Sequence, residues 1–303
     1  MKKKMIVLLT AVMLFTTALS GTFVYGCTPE IDPIVSTSWL QNNMNLQNLV
    51  IVDIRTAEEY EAGHVINSVS IPFVVPFSAW ITMKDDLLLE LPEKDELFSM
   101  LGSFGITENS NVVIVGGTAD PYAICAAPRV ADTLIYAGVE NVSILDGGYE
   151  KWASEGRSVT TESPAVTAKV FKGNKIDKNM FVSIDYVEKK IGKSIIIDAR
   201  DAEVYYGEII EPYAQKPGHI PTAKSLPAPL MWNEDGTYKS TSELKQLVQG
   251  IANENDHIIV YCGVGGYASA WWFVLTEVLG YKNVTFYDGS AQEWSIYNDM
   301  VID

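Results

Sequence analysis

The stretch Ile195-Ile196-Ile197-Asp198-Ala199-Arg200 is written twice in this chain, its earlier copy being Val50-Ile51-Val52-Asp53-Ile54-Arg55. A short apolar, mostly β-branched run that ends in polar residues reads as a strand buried on both faces, the kind used in parallel sheets. The residues downstream of each copy repeat as well. Gly63-His64-Val65 and Ser70-Ile71-Pro72 in the first half are answered by Gly218-His219-Ile220 and Ser225-Leu226-Pro227 in the second. Further on, the apolar strands 111–115 and 257–261 correspond, as do 141–147 and 283–289, and Trp152 and Trp294 close the two units. Two copies at half the chain length mean a duplicated domain, because solenoid periods run at about 20–50 residues. Helical stretches lie between the strands, most clearly at 126–137 and 268–279. Strands alternating with helices predict an α/β fold, each half a mainly parallel sheet flanked by helices. Residues 158–178 lack periodicity and hold Pro164 and Gly173, which predicts a linker between domains at 33–157 and 179–303.

A chain of 303 residues is long enough for two such cores. Its 38 acidic residues against 22 basic ones give a net charge of -16, which leaves no electrostatic footprint for nucleic acid. An anionic substrate would have to be held by local groups. The start of the chain carries a separate signal. Lys2, Lys3 and Lys4 precede an apolar run from Met5 to Leu19, too short for a comfortable membrane span, so residues 1–26 read as a signal peptide and the protein as exported to the cell envelope. Cleavage can fall after Ala18-Leu19-Ser20. The preferred site is Val24-Tyr25-Gly26-Cys27, which resembles a bacterial lipobox and would place a lipid on Cys27 as the chain's one membrane attachment. An uncleaved anchor is the third possibility.

The chemistry concentrates in Ile258-Ile259-Val260-Tyr261-Cys262-Gly263-Val264-Gly265-Gly266-Tyr267-Ala268-Ser269. An apolar strand ends at a cysteine, three glycines follow within four positions, and a helix then begins. Glycines let successive N–H groups turn toward one point, and a helix N-terminus adds unpaired N–H groups and the positive end of its dipole. A thiolate at Cys262 is favoured there, so a lowered pKa and a nucleophile are expected. The plain alternative is a core cysteine, since free Cys is often buried. Cys125, in the other half, reads as such a core residue. The placement of Cys125 and Cys262 in different domains argues against a disulfide between them. Three dispersed histidines and unclustered cysteines make no metal site. His64 and His219 occupy equivalent turns in both copies, which favours a structural role. The aromatic run Trp271-Trp272-Phe273 reads as core.

Taken together, the duplicated strand-Asp-x-Arg, the Gly-His turn, the loop Cys262–Ala268 and the Asp-Gly before a closing Trp resemble the rhodanese family in its tandem form. The resemblance implies two rhodanese-like domains, the first inactive with Gly116 where the second has Cys262. It implies a sulfurtransferase in which Cys262 takes sulfur from a donor such as thiosulfate or a mercapto acid, holds it as a persulfide among the N–H groups of Gly263, Val264, Gly265, Gly266, Tyr267 and Ala268, and passes it to a thiol or cyanide. No metal or organic cofactor is implied. Arg200 would stand near the donor's anionic group, or else serve an internal ion pair as Arg55 would in the other copy. The loop lacks the cations of thiosulfate users and has Val264 where mercaptopyruvate users carry serine, so the donor stays open. The first-domain loop is expected to be about four residues longer. Two other functions compete: a binding or sensing lipoprotein without turnover, and a cysteine phosphatase or arsenate reductase, which would need a longer loop with an arginine.

Overall fold

The computed structural model describes residues 31–302, so the expected signal peptide at 1–26 and the expected lipidation of Cys27 fall outside the described residues. In the first half the elements run β1 (Ile34–Val35), α1 (Thr37–Asn42), β2 (Leu49–Asp53), α2 (Ala57–Ala62), β3 (His64–Val65), β4 (Ser68–Ser70), β5 (Thr82–Lys84), β6 (Leu87–Glu90), α3 (Lys94–Ser103), β7 (Asn111–Val115), α4 (Pro121–Ala137), β8 (Asn141–Leu145), α5 (Gly148–Ser154) and β9 (Val159–Thr160). The second half runs β10 (Phe181–Val182), α6 (Ile184–Lys190), β11 (Ile195–Asp198), α7 (Ala202–Tyr205), β12 (Ala223–Ser225), α8 (Thr241–Val248), β13 (Ile258–Tyr261), α9 (Gly266–Phe273), β14 (Val284–Tyr287) and α10 (Ser290–Tyr297).

Two five-stranded sheets result, ordered β1-β8-β7-β2-β4 and β10-β14-β13-β11-β12. Every pairing in both is parallel. The duplicated stretches become β2 and β11, interior strands of their sheets, which explains why their apolar residues are buried on both faces. The α/β reading therefore stands, with the same sheet built twice. Asp53 registers with Val115 and Asp198 with Tyr261, so Gly116 and Cys262 follow equivalent strand ends.

Local signals set the helix boundaries. Capping boxes start α2 at Thr56 and Glu59 and α8 at Ser240 and Glu243. Asp120 caps α4, Pro121 opens it, and Gly138 ends it in the left-handed conformation. The expected surplus between the copies falls in this helix rather than in the loop. Helix α4 has 17 residues, whereas α9 has 8 and continues as a 5-residue π turn, Val274–Val278.

The stretch expected as a linker is fastened to the first half. Strand β9 pairs antiparallel with β3, the Lys169 N–H donates to the Gly102 carbonyl, and Phe171 stacks on Phe98. The halves share a continuous core in which α4 packs against α9. Each half also grips the aspartate that closes the other's sheet. Arg129 on α4 donates to Asp288 Oδ1 at 2.7 Å, and the Tyr238 N–H donates to Asp146 Oδ1 at 2.9 Å.

Candidate active site

Cys262 follows β13 at the C-terminal end of the sheet, where parallel α/β folds place their ligands. The loop behind it is held by the start of α10. Ala291 and Gln292 donate their N–H groups to the carbonyls of Cys262 and Gly263 at 2.9 and 3.0 Å, and Ser290 Oγ accepts from the Cys262 N–H at 3.2 Å. With its carbonyls turned to that helix, the loop turns N–H groups toward the sulfur. The Gly265 N–H donates to Cys262 Sγ at 3.1 Å, and the backbone N–H groups of Val264 and Ala268 also favour the thiolate. Gly265 sits at φ +99°, a conformation that L side chains rarely adopt, which is the physical need for glycine there. The N–H groups of Val264, Gly265 and Ala268 are thus turned to the sulfur, three of the six expected from the sequence.

The expected lowering of the Cys262 pKa is not what the resting site produces. Burial pushes the thiol up and outweighs the three N–H groups, and the nearby Glu211 carboxylate pushes it further. Cys262 is only 3% exposed. The backbone donors therefore act against a large desolvation cost and have their full effect on whatever negative charge the sulfur carries during reaction.

Arg200 resolves into the internal ion pair. Its Nε and Nη2 donate to both oxygens of Asp198, its Nη2 also donates to the Gly218 carbonyl at 2.8 Å, and its Nη1 donates to Glu211 Oε1 at 2.9 Å. Arg55 makes the first two arrangements with Asp53 and the Gly63 carbonyl. A shared scaffold role is thus built into both copies, and Glu211 is the addition peculiar to the second. His64 and His219 are likewise structural. Each is fully buried, donates its Nδ1–H to a tyrosine carbonyl, and stacks on that tyrosine's ring, Tyr60 or Tyr205.

A cleft opens over the loop, walled by both halves. The second half gives Arg200, Asp201, Glu211, Tyr213, Val264 and Tyr267, and the first gives Phe73, Val75, Leu89, Tyr122 and Cys125. Trp271, Trp272 and Phe273 are core, as expected.

Cys125 is buried in the core as expected, on α4, but it faces the Cys262 loop across the domain boundary. Its Sγ lies 3.2 Å from where a Cβ on Gly266 would be. Separate domains are therefore no barrier between Cys125 and Cys262, although both are free thiols here. Burial pushes the Cys125 thiol far up, which keeps it protonated.

The sequence reading missed Glu211, Asp201, Tyr122 and Leu89. One signal was present for Glu211. Arg55 reaches the glycine carbonyl eight residues on, whereas Arg200 reaches its equivalent 18 residues on, so the second copy carries an insertion at the mouth of its own site. Nothing in the pattern marked Tyr122 and Leu89, because they arrive from the other half. Among the described residues no group of three or more His, Cys, Asp or Glu side chains is placed to hold a metal ion.

With the duplicated sheet and the cysteine loop in place, comparison with known proteins gives the class. The rhodanese-like domain family matches residues 36–155 and 183–297, and the chain belongs to that family. A Saccharopolyspora erythraea protein provisionally named a thiosulfate sulfurtransferase is 31% identical over 277 residues, covering 88% of this chain and 94% of that protein. The sulfur carrier protein TtuD of Thermus thermophilus is 31% identical over 280 residues, with 88% and 94% covered. Among solved structures, YnjE aligns with a TM-score of 0.77 at 24% identity, over 89% of this chain and 68% of that one. An EanB variant described as a cysteine persulfide with ergothioneine aligns at 0.73 and 24%, over 89% and 71%. These two share the fold with this chain, and the names of the sequence relatives speak of sulfur transfer.

Proposed function

We propose that this protein is a sulfurtransferase acting through Cys262. The Cys262 thiolate attacks the outer sulfur of a sulfane donor, a sulfur–sulfur bond forms, and the donor remnant leaves with the electron pair of the broken bond; with thiosulfate the leaving group is sulfite. The terminal sulfur of the persulfide is then taken by a thiol or by cyanide, which returns Cys262 to thiolate. The carrying observation is the sulfur of Cys262 at a strand end, receiving the Gly265 N–H at 3.1 Å inside a loop that runs into a helix N-terminus. The names of the sequence relatives and the family membership support the same chemistry. The test is cyanolysis with Cys262→Ser, which should abolish turnover while the folded state persists; turnover near the wild-type level in that variant would overturn the proposal.

The N-terminal pattern supports export, with lipid on Cys27 as the membrane attachment. The mass of the native N-terminus tests this: a mature chain that starts at a diacylated Cys27 is expected, and one that starts at Gly21 would retain export but remove the lipid.

A further inference from the structure

Building on the sulfur-transfer reading, we infer that the cleft over Cys262 selects a sulfur compound with a cationic or uncharged, apolar body, and that Glu211 is the residue that disfavours anionic ones. The charge count at the cleft carries this. Arg200 is the one cation among the lining residues, and Asp198 and Glu211 both engage it. Asp201 lines the cleft as well, without an ion pair to Arg200. Asp201 and Glu211 line the cleft against Arg200, whose charge the buried Asp198 already offsets, so the reacting end of the cleft is left negative. The Glu211 carboxylate also lies directly over the loop, so that the Cβ of an alanine at Gly263 would run into it. A donor's charged group approaching Cys262 must pass that carboxylate.

The rest of the wall suits an apolar body. Tyr122 and Tyr267 stack with ring centroids 5.4 Å apart and present one aromatic surface beside the bowl. Val75, Tyr122 and Tyr213 stand 48%, 72% and 47% exposed at the mouth. Aromatic faces beside carboxylates attract organic cations and give a dianion such as thiosulfate nothing to bind. The class is therefore an aminated or quaternary organic persulfide as donor, whose thiolate leaves with the electron pair of the broken sulfur–sulfur bond, or an aminated or quaternary thiol as acceptor.

The field at Cys262 can be read without turnover. The full chain is modified with a cationic and an anionic methanethiosulfonate of similar size, and labelling of Cys262 is followed by peptide mass. The cationic reagent should win by about tenfold at low salt, relative to the ratio on a free small thiol, and the preference should shrink as salt rises. Glu211→Gln should reduce the preference by about fivefold. Asp201→Asn, which leaves the Arg200 pairs intact, should reduce it in the same direction and by less. No preference in the wild type, or a preference that Asp201→Asn and Glu211→Gln leave unchanged, would overturn the inference. In turnover, cysteamine should outperform 2-mercaptoethanol, and 2-mercaptoethanol should outperform mercaptoacetate, as acceptor; Glu211→Gln should narrow the ratio between cysteamine and mercaptoacetate. Equal turnover with all three thiols in the wild type would likewise overturn it. If the labelling shows the preference but no donor adds sulfur to Cys262, the selectivity stands and the sulfur-transfer reading fails.

Discussion

Arg129→Met should destabilise the whole chain, because one guanidinium from the first half holds the site of the second. Arg129 is fully buried, donates to Asp288 at 2.7 Å and to the Leu89 carbonyl, and lies within 5.4 and 5.3 Å of the ring centroids of Phe181 and Phe286. Glu90 and Asp132 approach the same cation. The Glu90 carboxyl is pushed up to about 8, chiefly by burial and by Asp288. Truncation to methionine keeps most of the packing and leaves Asp288 with only 11% of its side chain exposed and no counter-ion. Breaking a buried pair on one side costs about 3–5 kcal/mol. For a chain of this size that is on the order of a 10 °C fall in Tm. Urea unfolding followed by tryptophan fluorescence measures it. Asp288→Asn combined with Arg129→Met should lose less than the sum of the two single changes, by about 2 kcal/mol. A loss below about 1 kcal/mol for Arg129→Met, the range of surface pairs, would refute the reasoning, as would strict additivity in the cycle.

The buried thiol of Cys262 should react with neutral iodoacetamide about tenfold faster for each pH unit gained through neutrality, without a plateau, and Glu211→Gln should move the curve to lower pH; a plateau below about pH 7 would mean that the loop N–H groups outweigh burial. Cys125→Ser should leave cyanolysis within about twofold, since burial keeps that thiol protonated and its Sγ already serves a hydrogen bond to the Tyr122 carbonyl; a tenfold loss would give Cys125 a part in the chemistry. Asp132 is buried beside Arg129, Glu277 and Asp288, and neither of its carboxylate oxygens has a hydrogen-bond partner. Its folded-state pKa is raised, so the unfolded chain releases that proton first and stability falls as pH rises from about 4 toward the folded value. Asp132→Asn should therefore be more stable than wild type at neutral pH, by a margin that closes near pH 4; a margin that does not change with pH would count against this linkage.

How much was legible in the sequence differs by element. The strands β2 and β11 announced themselves through apolar runs repeated with the same Asp-x-Arg ending, and the interior of a parallel sheet imposes that pattern directly. The bowl at Cys262 was legible because glycine spacing and a helix start are local features. The protonation balance of Cys262 was not, since burial is decided by what packs over the loop, and Leu89, Tyr122 and Cys125 come from the other half. The twin residue Arg55 pointed to a scaffold role for Arg200 but left the donor-binding role equally open. The diversion of Arg200 to Glu211 needed the fold, because an insertion reveals its length in the sequence but not where its carboxylate lands. Residues 158–178 looked like a free connection because their bonds to the first half run through backbone groups such as the Lys169 N–H, which leave no side-chain pattern.

Whether Cys262 carries sulfur is decided most directly by intact mass after incubation of the reduced protein with thiosulfate, a mercapto acid or a polysulfide, with peptide mapping to place the change. The expected result is a gain of one sulfur on Cys262, removed by cyanide and absent from Cys262→Ser. No gain with any donor, or a gain that maps to Cys125 and survives in Cys262→Ser, would contradict sulfur transfer through Cys262.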